Sequence, residues 1–156
     1  MKERELLRKL GEETLYSAKG HFKACDLRRQ LVTYTIWLCA ALNVLSLIGF
    51  NPVCDKVFAA TGLFGAIALL IWNEGEGKNY RAKHKQAAEV YLSLHKEIRS
   101  CFFLSECSKE EVERLSKAVI EYDKSEKPEI PGFARRWAKR VIEGRDPETD
   151  NWFLNK

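Results

Sequence analysis

The stretch LVTYTIWLCAALNVLSLIGFNPVC, Leu31–Cys54, contains no charged residue, and VFAATGLFGAIALLIW, Val57–Trp72, contains none either. A helix rises about 1.5 Å per residue and the hydrocarbon core of a bilayer is about 30 Å thick. Residues 31–50 are therefore long enough to cross a membrane, and residues 57–72 cross it with little tilt or in a thinned bilayer. Pro52 cannot continue the helix before it, so Asn51-Pro52 is a turn signal. We predict an all-α membrane protein built on a two-transmembrane helical hairpin.

The alternative is a buried helical hairpin in a soluble all-α protein. In a small soluble domain, a helix normally presents a polar face to water. Between Leu31 and Trp72 the polar side chains are only Thr, Tyr, Asn and Ser and the pair Asp55-Lys56. This pattern favours membrane insertion.

The length of 156 residues allows one domain. With 26 Lys and Arg against 22 Asp and Glu, the chain is mildly basic, and no basic run with interleaved aromatic residues indicates nucleic-acid binding. The five cysteines lack CxxC spacing, so neither a disulfide framework nor a zinc site is indicated. The predicted segments are a cytosolic helix (1–30), a first span (31–50), an external loop (51–56), a second span (57–72) and cytosolic helices with a tail (73–156).

Lysine and arginine flank the two spans, whereas the predicted loop contains only Lys56. By the positive-inside rule, both termini lie in the cytosol and the protein is a multi-pass component of the inner membrane. The basic residues nearest the spans are expected to meet anionic lipid headgroups at the membrane interface. They are Arg28, Arg29, Lys78 and Arg81.

Polar side chains in the first span fall within one quadrant of the helix: Thr35, Cys39, Asn43 and Ser46. Polar groups at bilayer depth need partners, and they usually mark protein interiors or pathways. One interpretation is that this face packs against the second span or a neighbouring subunit. The other is that it lines a water-filled pore.

Small residues occupy one half of the second span, where they predict close helix packing: Ala59, Thr61, Gly62, Gly65, Ala66 and Ala68. Pairs of small residues four apart let helix backbones approach closely in lipid. The packing partner is either the first span of the same chain or a second copy, and the short spans favour a homo-oligomer.

The flanking segments carry apolar residues at helical spacing. In the opening helix these are Leu6, Leu10, Ala18, Phe22 and Cys25. After a break at Asn73–Gly77, a second such helix carries Tyr80, His84, Ala87, Tyr91, Leu94, Ile98 and Phe102, with His84 and His95 expected to be ordinary seam or surface residues.

The C-terminal third is predicted from its capping residues and prolines. Ser108 to Glu111 has the form of a capping box, so a helix begins there. A charged linker, Lys124–Pro131, precedes a basic helix, Gly132–Glu143. We expect Trp152, Phe153 and Leu154 in the tail to dock onto the helices or the membrane interface.

No catalytic or cofactor motif is present. The glycines form neither a phosphate-binding loop nor a dinucleotide fingerprint, and no nucleophile or carboxylate pair has a recognisable setting. We predict that the protein is not an enzyme and has no cofactor and no metal site.

The order of these features resembles the SLATT family, a two-transmembrane effector domain associated with SMODS nucleotidyltransferases and SLOG nucleotide-sensing domains. The likeness covers nearly the whole chain: a leading helix, two spans in a tight hairpin, the helix KQAAEVYLSLHKEI, Lys85–Ile98, and PEIP, Pro128–Pro131, before a basic helix. The resemblance implies an effector of an antiviral conflict system, with a nucleotidyltransferase or nucleotide-sensing partner encoded alongside. Such an effector oligomerises in the inner membrane and breaches it, which causes abortive infection.

From the residues we add a hypothesis in which faces around Gly62 and Gly65 drive assembly and the Thr35–Ser46 face lines or seals the breach. Two other classes stay open. A membrane-anchored scaffold would recruit a partner through its cytosolic helices and use its spans only as a tether. A carrier of ions or small solutes would normally have an ionisable residue at mid-membrane, and none is present.

Overall fold

In a computed structural model, the residues described are 2–49, 51–74, 78–104, 107–144 and 152–154, and the secondary structure among them is entirely helical. The helices are α1 (Lys2–Ile48), α2 (Pro52–Trp72), α3 (Lys78–Phe103), α4 (Lys109–Lys124) and α5 (Gly132–Glu143), followed by one 3₁₀ turn (Trp152–Leu154). They form two compact units. The first comprises Met1–Ala24 with Lys83–Lys156, and the second comprises Cys25–Ala82.

Helix α1 runs through 47 residues without interruption at Gly11 or Gly20. Glycine lowers helix propensity by up to about 1 kcal/mol, yet both positions lie against large side chains of the same unit. The ring of Trp152 lies so close to Gly11 that an added Cβ would be 2.5 Å from it, and Ile130 lies against Gly20 in the same way, at 3.0 Å. The glycines therefore permit packing, and that packing compensates for their low propensity. Gly49, with φ +76°, follows the end of the helix.

Helix α2 begins at Pro52, five residues before the predicted second span. Asn51 is the N-cap, and its side-chain Oδ1 accepts a 2.9 Å hydrogen bond from the Val53 backbone N–H. Proline at the first helical position needs no hydrogen-bond partner for its nitrogen. The helix has 21 residues, or about 32 Å at about 1.5 Å per residue. Asp55 and Lys56, predicted to lie in the loop, are in the first turns of this helix.

The first unit is organised around an apolar core drawn from α1, α3, α4, α5 and the tail. The buried residues of this core are Leu7, Leu10, Leu15, Ile98, Cys101, Val112, Leu115, Val119, Ile142, Trp152 and Phe153. Leu7 is buried whereas its neighbour Leu6, which the sequence pattern placed on the apolar face, is 38% exposed. Adjacent leucines on a helix point about 100° apart, so only one of them faces the core.

The predicted starts of α4 and α5 are confirmed. Ser108 caps α4, because its hydroxyl accepts a 3.2 Å hydrogen bond from the Glu111 backbone N–H. Helix α5 spans Gly132–Glu143, as predicted, and Gly144 follows it. Its buried residues are Ala134, Ala138 and Ile142, one turn apart from one another.

The predicted docking of the tail onto the helices is confirmed for Trp152 and Phe153, which are 9% and 2% exposed. Arg8 donates from Nε to the Phe153 carbonyl at 2.8 Å, and Trp152 donates from Nε1 to Nε2 of His95 at 3.3 Å. Asp150, Asn151 and the side chain of Leu154 lie outside the described part of the chain, as do Gly75–Gly77 of the predicted break.

All three histidines of the protein are buried in the first unit: His21, His84 and His95. Nδ1 of His21 and Nδ1 of His84 are 2.8 Å apart, so one ring donates its N–H and the other accepts it. This bond requires a lone pair, and therefore a neutral ring, on the accepting side. Burial, followed by the neighbouring His84 and Lys127, lowers the pKa of His21 to about 4, and burial also lowers the pKa of His84.

Cys101 and Cys107 form a disulfide, with their Cα atoms 5.3 Å apart, near the end of α3 and the start of α4. The interpretation of the cysteines from their spacing alone missed this pair. Six positions separate the two residues, which is not the CxxC pattern. The packing of α3 against α4 in the core of the first unit brings them together.

We predict that Gly11→Ala lowers the free energy of unfolding by about 1–3 kcal/mol, because its Cβ must displace the Trp152 ring. Gly132→Ala is the matched control: an added Cβ there meets nothing within 4 Å, and the change should be neutral or stabilising by up to about 1 kcal/mol. Thermal unfolding of the detergent-solubilised chain, followed by circular dichroism, measures both. Equal melting temperatures for the two variants would contradict the packing of Trp152 on Gly11.

We predict that stability falls as the pH drops below about 6.5, the ordinary histidine pKa, towards about 4, the pKa of buried His21. In that interval the unfolded chain binds protons that the folded chain excludes, whereas above it both states are neutral. The slope attributable to each histidine is at most about 1.4 kcal/mol per pH unit.

Thermal unfolding at pH 5, 6, 7 and 8 measures this dependence. His21→Phe keeps a ring stacked on Tyr91 but binds no proton, so its stability should vary less between pH 5 and 7. An unchanged slope in that variant would show that other groups cause the dependence.

Candidate membrane-spanning site

Two helices of the structure, α1 and α2, are long and apolar enough to cross a membrane. In the apolar window of each helix, only 6% of the residues are buried. The core helix of a soluble protein would have most of such a window covered. Large apolar side chains instead point outward from the second unit, among them Leu47 at 85% and Trp37, Phe64 and Ile71 at 70–71% exposed. An exposed apolar surface of this kind is compatible with insertion in a membrane.

The two apolar helices contact each other at Gly62. An added Cβ on Gly62 would overlap the Asn43 side chain and would lie 2.9 Å from the Cys39 carbonyl oxygen, and one on Gly65 would lie 3.0 Å from Cys39 Sγ. Gly62 is the one buried residue of α2, and Cys39 is 7% exposed. Only glycine admits the Asn43 amide at this position, so Gly62 sets the distance between the helices.

The predicted packing residues divide between this contact and the outer surface. Gly62 is buried, and Ala59, Gly65 and Ala66 are half-buried. Thr61 and Ala68 are exposed, so they do not belong to the contact. Phe58 and Leu69 are half-buried with the small residues, and the interpretation based on residue size missed them. Phe58 lies four residues before Gly62 and Leu69 seven after it. This spacing places both on the same face of the helix as Gly62, so it could have identified them.

The four polar residues of the first span lie on the inner side of α1. Cys39 is buried, and Thr35, Asn43 and Ser46 are half-buried. Each of the three oxygen- or amide-bearing side chains donates to a backbone carbonyl of its own helix: Thr35 to Leu31 at 2.9 Å, Asn43 to Cys39 at 2.8 Å and Ser46 to Asn43 at 2.7 Å. A polar group satisfied in this way costs little in an apolar surrounding. The arrangement favours a packing face.

The four predicted interface cations have different surroundings. The Arg28 guanidinium lies 3.7 Å from the centre of the Trp72 ring and 4.8 Å from that of Tyr80, so it stacks between aromatic side chains of α2 and α3. Arg81 donates to Asn73 at 3.4 Å, and Lys78 pairs with Glu74. Arg29 is exposed. Arg28 therefore connects α1 to the end of α2 and the start of α3 within the second unit, while Arg29 and Lys78 are exposed.

Among the residues that the structure describes, no group of three or more histidine, cysteine, aspartate or glutamate side chains could hold a metal ion. The cysteines outside the disulfide differ in access: Cys54 is exposed, Cys25 is half-buried and Cys39 is buried.

Comparisons of the chain with protein-family models, with curated proteins and with solved structures each found no match.

Proposed function

We propose that this chain is a two-transmembrane effector of a prokaryotic nucleotide-signalling antiviral system. It inserts in the inner membrane as a helical hairpin with both termini in the cytosol, oligomerises, and forms a pore or otherwise disrupts the membrane, which causes abortive infection. The observation that supports membrane insertion is the outward apolar surface of α1 and α2. Only 6% of the residues in the apolar window of each helix are buried. The antiviral setting and the nucleotidyltransferase or nucleotide-sensing partner rest on the SLATT resemblance.

Insertion as a hairpin is supported by the lengths and the connection of the two helices. Only residues 49–51 separate Ile48 from Pro52, so the two apolar helices cannot lie far apart at that end. A single chain contributes two spans, and the backbone hydrogen bonds of each are satisfied internally, as the bilayer requires.

Assembly from several copies is supported by the faces that the Gly62 contact leaves free. Thr61 and Ala68 are seven residues apart, so they share one face of α2, and Phe64 lies between them. All three are exposed. Small residues beside an aromatic ring form a shallow surface against which a second helix packs closely. This face, and not the one at Gly62 and Gly65, is the surface we assign to contacts between copies.

The orientation is supported by the lysines and arginines that flank the spans. The disulfide between Cys101 and Cys107 is evidence against this orientation, because disulfides are rare in the reducing cytosol. In the proposed orientation this disulfide lies on the cytosolic side, where cellular reductants would act on it. A labelling experiment decides between the two arrangements.

We predict that a membrane-impermeant maleimide applied to spheroplasts labels Cys54, because it is exposed near the short connection between the helices. Cys54→Ser should remove this labelling. In the Cys54→Ser background, Glu126→Cys, at an exposed position after α4, should be labelled only after the inner membrane is permeabilised. Labelling of Glu126→Cys from outside would overturn the orientation and would agree with the disulfide.

We predict that inducible expression in a bacterium admits propidium, and that Thr61→Leu/Ala68→Leu abolishes dye entry while the protein remains in the carbonate-resistant membrane pellet. The bulky leucines separate neighbouring copies without touching the Gly62 contact. Leu63→Phe/Leu70→Phe is the matched control, since it adds bulk at two exposed positions on the other side of α2, again seven residues apart, and it should still admit the dye.

Three results would contradict the proposal. Dye entry with Thr61→Leu/Ala68→Leu would remove this face from assembly. Dye exclusion by the unaltered chain, with normal pelleting, would favour the membrane-anchored scaffold. A chain that stays soluble would exclude both. Gly62→Leu/Gly65→Leu is the less informative variant, because leucine at Gly62 would separate α1 from α2 within one chain.

A further inference from the structure

The first unit contains a cavity of about 600 Å³ between α1, α3, the end of α4, the linker and α5. Its size falls in the range of about 300–1,000 Å³ that is typical of small-molecule sites. Every residue that lines it belongs to the first unit. What the cavity binds can therefore be argued apart from the membrane function.

The floor of the cavity is aromatic and uncharged. His21 and Tyr91, which are 1% and 2% exposed, stack with ring centroids 5.8 Å apart and planes 17° from parallel. His21 is neutral at pH 7, because burial lowers its pKa to about 4. Tyr91 donates its hydroxyl to Asp123, and burial together with that bond raises the pKa of Tyr91, so it is also neutral. Tyr16 and Ile130 extend the same lining.

The rim of the cavity carries cations. Arg135 and Lys139 are one turn apart on α5, and both line the cavity and are exposed. Lys139 Nζ is 3.8 Å from a Glu143 carboxylate oxygen, whereas Arg135 makes no ion pair with any residue in the described ranges. A guanidinium and an ammonium one turn apart are well suited to a dianion, since arginine binds two oxygens at once.

Two carboxylates also line the cavity, and they differ in how strongly their negative charge would repel a bound anion. Asp123 accepts hydrogen bonds from Tyr91 and from Lys127, whose Nζ lies 3.1 Å away, so its charge is locally compensated. Glu129 is exposed and is the carboxylate that weakens the positive field of the rim. The lining thus combines an aromatic floor, a positive rim and one opposing charge.

We propose that this cavity binds a phosphate monoester that carries an aromatic ring. The ring lies in the part lined by His21 and Tyr91, and the phosphate is held by Arg135 and Lys139. Two cations from one helix suit the double charge of a phosphate monoester better than the single charge of a carboxylate.

The test is calorimetric titration of the full chain in detergent with three phosphate probes: adenosine 5′-monophosphate, phenyl phosphate and inorganic phosphate. Adenosine and benzoate are the uncharged and carboxylate counterparts. We expect at least one of the two aromatic phosphates to bind at least about tenfold more tightly than inorganic phosphate, adenosine or benzoate.

The variants use one helix as its own control. Arg135→Ala/Lys139→Ala should weaken binding at least about tenfold, whereas Arg136→Ala/Arg140→Ala removes the same charge from the part of α5 outside the cavity and should change it less than about twofold. Glu129→Gln should tighten binding a few-fold, about two to five, because it removes the opposing charge. Because Glu129→Gln is expected to tighten binding, its result cannot be explained by misfolding.

Each of three results would overturn the proposal. If neither aromatic phosphate binds more tightly than inorganic phosphate, the aromatic floor contributes nothing. Equal losses in the two double variants would mean that the charge of α5, and not the cavity, attracts the anion. Benzoate binding as tightly as phenyl phosphate would assign a carboxylate ligand instead. None of these results bears on dye entry or membrane pelleting, so the proposed function is judged separately.

Discussion

The second unit depends on one close approach, that of the Asn43 amide to the backbone of Gly62. An asparagine in an apolar helix needs its hydrogen bonds satisfied, and Asn43 meets this need by donating to the Cys39 carbonyl of its own helix. The folded-back amide then occupies the space that a side chain at position 62 would take. A polar requirement of one helix and the missing side chain of the other thus determine how closely α1 and α2 pack.

This contact changes which surface is available to other molecules. Because Gly62 and Gly65 face Cys39 and Asn43 of the same chain, they are not free to meet a second copy. The outer face of α2, with Thr61, Phe64 and Ala68, remains uncovered. A membrane effector that assembles would use this face, and the three polar residues of α1 stay on the inner side. Small residues that already contact α1 pack within the chain, and only the small residues that remain exposed are available to a second chain.

The first unit follows a different rule, since its core admits polar side chains that carry no charge. His21, His84 and His95 are buried with Thr14 among apolar residues, and each histidine takes part in hydrogen bonding. Keeping the rings of His21 and His84 neutral costs stability when protons are abundant, because burial lowers the pKa of both. The same neutrality leaves the cavity beside His21 with an uncharged floor, and its positive rim then determines the charge of a ligand. One set of buried rings thus affects both the stability of the core and the chemistry of the cavity.

The sequence by itself determined the helical class, the two apolar runs, the N-cap at Ser108 and the extent of α5. These features depend on local properties: run length, capping chemistry and the backbone of proline and glycine. Only the tertiary structure decided which of Leu6 and Leu7 is buried, which small residues of α2 lie in the helix contact, and that Cys101 lies beside Cys107. It also brought His21, Tyr91 and Arg135 together from three helices. Such facts depend on the rotation of each helix about its axis and on contacts between residues distant in the chain, and neither is encoded in any local pattern.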